Sequence, residues 1–164
     1  MKLNELLSEQ FTASYDENGW FVALKNAIAG LTAGQSVWRP EGIDNSIWEI
    51  ISHLDYYNNA YLRRFKGESV ENDIESNDET FSAGDVTEES WRQAVQQFGA
   101  TMAEWRAMLN AADDAKLNEP APPRNEWPWL DVISNMIVHN AHHGGQIVVI
   151  RKLQGSWDRE KGVS

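Results

Sequence analysis

The sequence predicts an all-α protein, a four-helix bundle, on three observations. Apolar residues recur every three or four positions through four long segments, residues that cap or stop helices fall at the segment ends, and no stretch alternates as a strand would. At 164 residues and 41% hydrophobic composition the chain can bury a substantial core, so residues 1–164 are read as a single domain.

The first helical segment runs from about Leu3 to Ala29, bent near Gly19, with Leu6, Phe11, Trp20, Phe21, Leu24 and Ile28 as its apolar positions and Gly30 just past its end. A turn at Trp38-Arg39-Pro40-Glu41-Gly42 separates it from the second. There Asp44 or Ser46 caps a helix whose buried stripe is Ile47, Ile50, Ile51, Leu54, Tyr57, Tyr61 and Phe65. An acidic loop follows over about 67–86. From Glu68 to Glu89 there are nine Asp or Glu residues and no Lys or Arg, and such self-repelling stretches stay extended and wet.

The third helix starts near Thr87, a capping residue followed by Glu88 and Glu89, acids that suit the positive helix N-terminus. Its face is Trp91, Val95, Phe98, Met102, Trp105 and Leu109, and it ends near Asn110. Pro120, Pro122 and Pro123 forbid helix beyond. The fourth helix opens around Trp127-Pro128-Trp129, where a proline in the first turn forfeits no hydrogen bond, and runs to Gln154 before Gly155. Short links imply antiparallel neighbours, whereas the long link between helices two and three can cross the bundle. An up-down-down-up order is therefore expected.

The formal net charge of −11 argues against nucleic acid and anionic membranes, both of which are bound through Lys and Arg. No apolar run is long enough to span a bilayer, and Glu5 and Glu9 interrupt the start where a signal peptide would be apolar. With no cysteine there is no disulfide, thiolate zinc site or cysteine nucleophile. A cytoplasmic protein is expected.

Three of the four histidines lie in the run His139-Asn140-Ala141-His142-His143-Gly144-Gly145-Gln146. A helix advances about 100° per residue, so His139 and His143 share a face at chelating distance while His142 turns away into a supporting role. The core-facing seam of helix four passes through Val132, Met136, His139, His143, Ile147 and Ile150. Buried imidazoles without partners cost about 1–3 kcal/mol per unsatisfied group, so something must meet their nitrogens. His53, between Ile50 and Tyr57 on helix two, can reach the same point.

Three imidazoles leave an open position on a divalent cation, as catalytic sites do. Such donors suit zinc, nickel, copper or ferrous iron, with zinc and nickel the leading readings. Gly144 and Gly145 let a neighbour or ligand approach, and Gln146 can fix the orientation of His143 or a bound water. Tyr57 with Trp129 or Trp38 can wall the open side.

These residues resemble the DinB-like (damage-inducible-type) metal-binding four-helix bundles over most of the chain. The upstream half of the likeness is Trp38-Arg39-Pro40 through Ser46-Ile47-Trp48-Glu49-Ile50-Ile51-Ser52-His53-Leu54, a tryptophan-proline turn, a capped helix start and a first ligand histidine. The downstream half is the histidine run, in which the family's ligands correspond to His139 and His143 and a Gly-Gln pair follows. Gly144 departs from relatives that carry a larger, often basic residue there, which removes support for anion binding at that position.

The resemblance implies a metal-dependent transferase or isomerase that uses a low-molecular-weight thiol to attack a small-molecule electrophile. Two other readings compete with it. One is a metal-dependent hydrolase with Glu49, one turn before His53, as general base. The other is a non-catalytic metal-binding or interaction module, a homodimer formed through exposed tryptophans.

Overall fold

A serine and a glutamate three residues apart set the start of the helix that carries His53. Ser46 Oγ accepts from the Glu49 amide, and Glu49 Oε2 accepts from the Ser46 amide at 2.7 Å, a reciprocal cap that satisfies two donors at the N-terminus of α4, Ile47–Phe65. The same logic starts α5, Glu88–Ala111, where Thr87 Oγ1 accepts from the Ser90 amide. The last long helix, α7, is Trp129–Gln154, preceded by Pro128 and closed by Gly155 at φ 75°, a conformation glycine adopts without strain.

The computed structural model describes residues 2–71, 74–123 and 126–163, and among these it is all-helical, with no strand beyond an isolated bridge between Pro120 and Pro128. The remaining helices are α1, Leu3–Tyr15, and three short ones: α2, Leu24–Ile28; α3, Ala33–Val37; and α6, Asp114–Leu117. Among the described residues no helix is long and apolar enough to cross a membrane.

The expected single helix from Leu3 to Ala29 is instead α1 and α2 with an irregular link. Asn18 explains the break: its Oδ1 accepts from the Ala23 amide and from Asn26 Nδ2, both at 2.9 Å, and its Nδ2 donates to Lys161 O. A side chain that supplies backbone partners of its own competes with helix. Two residues of the expected stripe face solvent: Leu6 is exposed while Leu7 is buried in its place, and Trp20, in the irregular link, is 100% exposed.

The core lies between α1, α4, α5 and α7. Phe11 of α1 meets Trp105 of α5, Tyr15 meets Phe98, and Asn4 donates to the carbonyls of Leu109 and Asn110. Between α4 and α5, Trp48 packs on Trp91, Asp55 accepts from Thr101 Oγ1, and Trp105 Nε1 donates to Asn58 O at 2.8 Å. Between α4 and α7, Asn58 meets Asn140 and both Tyr61 and Phe65 meet Trp129. Arg151, also buried, clips the end of α7 to α2 by donating to the carbonyls of Ala27 and Ala29.

The acidic segment is as wet as expected in its charges but not in its middle. Its described acids are exposed, yet a 3₁₀ turn at Asn77–Thr80 folds back on α4 and buries Thr80. Asp73, one of the nine acids, lies outside the described residues.

Candidate metal centre

His53 on α4 and His139 and His143 on α7 bring their Nε2 atoms to one point. His139 Nε2 stands 3.0 Å from His53 Nε2 and 3.1 Å from His143 Nε2, and the ligand atoms all lie within 4.8 Å of one another. Nitrogens that share one zinc at 2.0–2.1 Å and a tetrahedral angle stand about 3.3 Å apart, so the donor set fits such an ion. His53 and His143 are buried, at 3% and 8% exposure, and His139 is half-buried.

The outer nitrogens decide what the inner ones can do. Thr80 Oγ1 donates to Asn77 O at 2.6 Å, so it can only accept from His53 Nδ1, 2.7 Å away. His143 Nδ1 donates to Gln146 Oε1 at 2.6 Å. Both rings therefore carry their proton on Nδ1 and present a bare lone pair at Nε2. His139 has at most one proton to offer the two of them, so at least one of the two close Nε2 pairs sets lone pair against lone pair.

A proton does not resolve this by charging the rings. Burial pushes the His53 pKa from 6.5 down to about 3, helped by the repulsion that His139 and His143 would exert if charged. His139 is pushed down to about 4, again by burial first and then by His143 and His142. His143 is also lowered by burial, against the Gln146 hydrogen bond, which favours its charged form. At neutral pH the trio is three neutral ligands, the state a transition metal requires.

The centre forms one wall of a cleft of about 550 Å³. Phe81 stacks on His53 with ring centroids 4.0 Å apart and planes 10° from parallel, and Tyr57 meets His53 edge-on while its hydroxyl donates to Asn77 Oδ1. Tyr57 lines the cleft as expected. The other aromatics proposed for the wall do not: Trp129 is 1% exposed in the core, and Trp38 lies elsewhere. Trp127 takes their place, held by the link in which Ala121 N donates to Trp127 O and Trp129 N donates to Glu119 O.

Of the remaining expected site residues, Gln146 is where the helical spacing put it. His142 is exposed at the cleft edge, its ring 5.2 Å from that of His143, with no part in the convergence. Glu49 does not reach the cleft: Oε2 accepts from Ser46 and from Arg39 Nε, and Oε1 pairs with Arg39 Nη2. Partial burial would raise its pKa, but the bonds from Ser46 and Arg39 outweigh that and hold it below the usual carboxylate range. The pair also gives the Trp-Arg-Pro turn a physical role, tying it to the start of α4. Gly144 is approached by protein rather than ligand, since a Cβ there would meet Val22 O at 3.5 Å and Leu24 at 3.6 Å.

Sequence reasoning missed Thr80, Asn77 and Phe81. They sit 24 to 28 positions beyond His53 in a segment whose charge signals solvent, and no local pattern marks the return. Trp127 carried a signal, in the Trp-Pro-Trp that opens α7.

An all-helical fold with three neutral imidazoles at the wall of an aromatic cleft defines a candidate metal-binding class. The model of the DinB superfamily matches residues 22–147, which include all three histidines and Gln146, and the chain belongs to that superfamily. No curated protein matches the sequence.

Proposed function

We propose that His53, His139 and His143 hold one divalent transition metal, zinc or nickel, and that the protein is a metal-dependent transferase in which a low-molecular-weight thiol attacks a small electrophile. The observation that carries the reading is the convergence of three neutral imidazoles with at most one proton among their Nε2 atoms. An ion bound there would supply Lewis acidity, making a coordinated thiol or water easier to deprotonate. Unlike carboxylates or thiolates, the three neutral rings would leave the charge of such an ion undiminished.

The chain's own residues do the positioning. Thr80 and Gln146 hold two Nε2 lone pairs toward the common point, and the packing of α4 on α7 sets the distance between them. Phe81 and Tyr57 cover His53 and limit water at its ring. The thiol is supported by the resemblance of the two histidine motifs to relatives that use one.

The four long helices are read as an up-down-down-up bundle. Pairings supporting it run in opposite chain directions for α1 with α5 (Asn4 with Leu109, Tyr15 with Phe98) and for α4 with α7 (His53 with His143, Tyr61 with Trp129). They run in the same direction for α4 with α5, from Trp48 with Trp91 to Asn58 with Trp105. A homodimer would draw on Trp20 and Trp38, and sedimentation of the Trp20→Ser variant tests it.

Purified without a polyhistidine tag, the protein should carry about one equivalent of metal and transfer a thiol to electrophilic acceptors only when loaded. The His53→Ala, His143→Ala double variant should lose both properties. Full turnover in that variant would end the transferase reading. A cobalt-substituted protein whose spectrum ignores added thiols would point to a non-catalytic metal-binding module.

A further inference from the structure

The surface of this protein is crowded with charge, and the described lining of the cleft has none. Charged residues make up 24% of the chain, so fifteen residues of average composition would include about four, yet none of the fifteen described residues lining the cleft is Asp, Glu, Lys or Arg. An anion entering there would lose water and find no cationic partner among the described lining residues, against a net charge of −11. A cation would meet no carboxylate among those described residues.

The walls are instead apolar and aromatic, and one ring among them is unpartnered. Trp127 is 49% exposed, and among the described residues its indole has neither a ring partner nor an acceptor for Nε1–H. Phe81 is already stacked on His53, and Tyr61 is already against Trp129. Met136 adds a polarisable wall on the seam of α7, one turn before His139. Polar handles are few: Asn135 Nδ2 donates to Asp131 O, leaving Oδ1 without a partner among the described residues, and Asn77 uses its Oδ1 on Tyr57 and leaves Nδ2 open. Apolar walls, a few polar groups and about 550 Å³ are the marks of a small-molecule site.

We propose that this cleft takes an uncharged small molecule bearing an aromatic ring, with Trp127 as the face on which the ring stacks and Met136 and Tyr57 as its other walls. The inference rests on the reading of the histidine centre as a reaction site only in naming this occupant as the electrophile rather than the thiol. A thiol that carries carboxylates finds no cation in the described lining, so its charged part lies outside the cleft.

The test is equilibrium dialysis of the full chain, metal-free and zinc-loaded, against 1-naphthol and its anionic counterpart 1-naphthalenesulfonate. One naphthol per chain is expected in both forms, with the sulfonate bound at least tenfold more weakly. Trp127→Ala should weaken naphthol at least tenfold, Trp127→Phe should retain most of the affinity, and Trp20→Ala should change nothing. Thermal unfolding of each variant separates lost stacking from lost fold. Equal binding of the two probes, no binding of naphthol, or naphthol affinity unchanged in Trp127→Ala each overturns the proposal. Metal content of the same samples is read separately: naphthol binding without metal binding would sink the metal-dependent transferase and leave the cleft's selectivity standing.

Discussion

Two neighbouring polar clusters join α4 to α7, and they differ in whether their hydrogen bonds close. Asn58 Nδ2 donates to Asn140 Oδ1 at 2.9 Å and to Leu54 O, while Asn140 Nδ2 donates back to Asn58 Oδ1 at 3.2 Å. That pair is complete, and at 1% and 0% exposure nothing further reaches it. The histidine trio next to it is held as firmly from outside, by Thr80 and Gln146, but its inner nitrogens face one another with too few protons. A closed polar cluster fixes how two helices pack, whereas an open one leaves lone pairs for something the chain does not supply.

The largest test of that contrast is removal of a ring. His143→Ala should lower zinc affinity at least a thousandfold, about 4 kcal/mol, in a competition titration with a chromophoric chelator. The metal-free protein should keep its stability or gain some, since lone-pair opposition is relieved. A metal-free variant destabilised as strongly as an asparagine variant would make the trio structural.

The asparagine pair should behave in the opposite way. Asn140→Leu strands the Asn58 amide in the core and should reduce stability by about 2–3 kcal/mol in urea unfolding. Asn58→Leu in the same protein should recover part of that loss, because neither partner is then left unsatisfied. A purely additive double variant would show that the pair is not a unit.

Next in size is the outer support of the rings. Thr80→Val keeps shape but removes the acceptor for His53 Nδ1–H, so metal affinity should fall about tenfold, roughly 1.4 kcal/mol, while Thr80→Ser restores it. If valine and serine bind metal equally well, the 3₁₀ turn only packs against α4.

Smallest near neutrality is the effect of pH on the metal-free protein. The His53 and His139 pKa values are depressed in the folded state, to about 3 and about 4, from 6.5. Unfolded chains therefore bind more protons below about 6.5, and the stability linked to the neutral rings, full above that pH, is lost as pH falls toward 4. Urea midpoints should drop from pH 7 to pH 5. The slope should shrink in His53→Phe and persist in Asn140→Leu, whose amides do not titrate.

Much of this protein is written in local sequence. Ser46 with Glu49, Thr87 before Glu88, and Pro128 with Gly155 mark helix ends through side chains and backbone freedoms that act within four residues. The three-residue and four-residue steps along α7 likewise placed His139, His143 and Gln146 on one face with His142 off it. The break after Tyr15 could not be read that way. It depends on Asn18 meeting Ala23, Asn26 and the distant Lys161, partners that exist only when the chain is folded.

The sequence by itself determined which residue types could meet a metal and the periodicity that directs them inward, because both are properties of neighbours along one helix. Tertiary structure alone decided the rest. It turned Glu49 into a helix cap and ion-pair partner and buried Trp129 away from the cleft. It also returned an acidic segment to His53, so that Thr80 sets the tautomer and Phe81 covers the ring. A hydrogen bond between groups 27 residues apart leaves no periodic trace, since its geometry is fixed by the packing of elements that the intervening chain only connects.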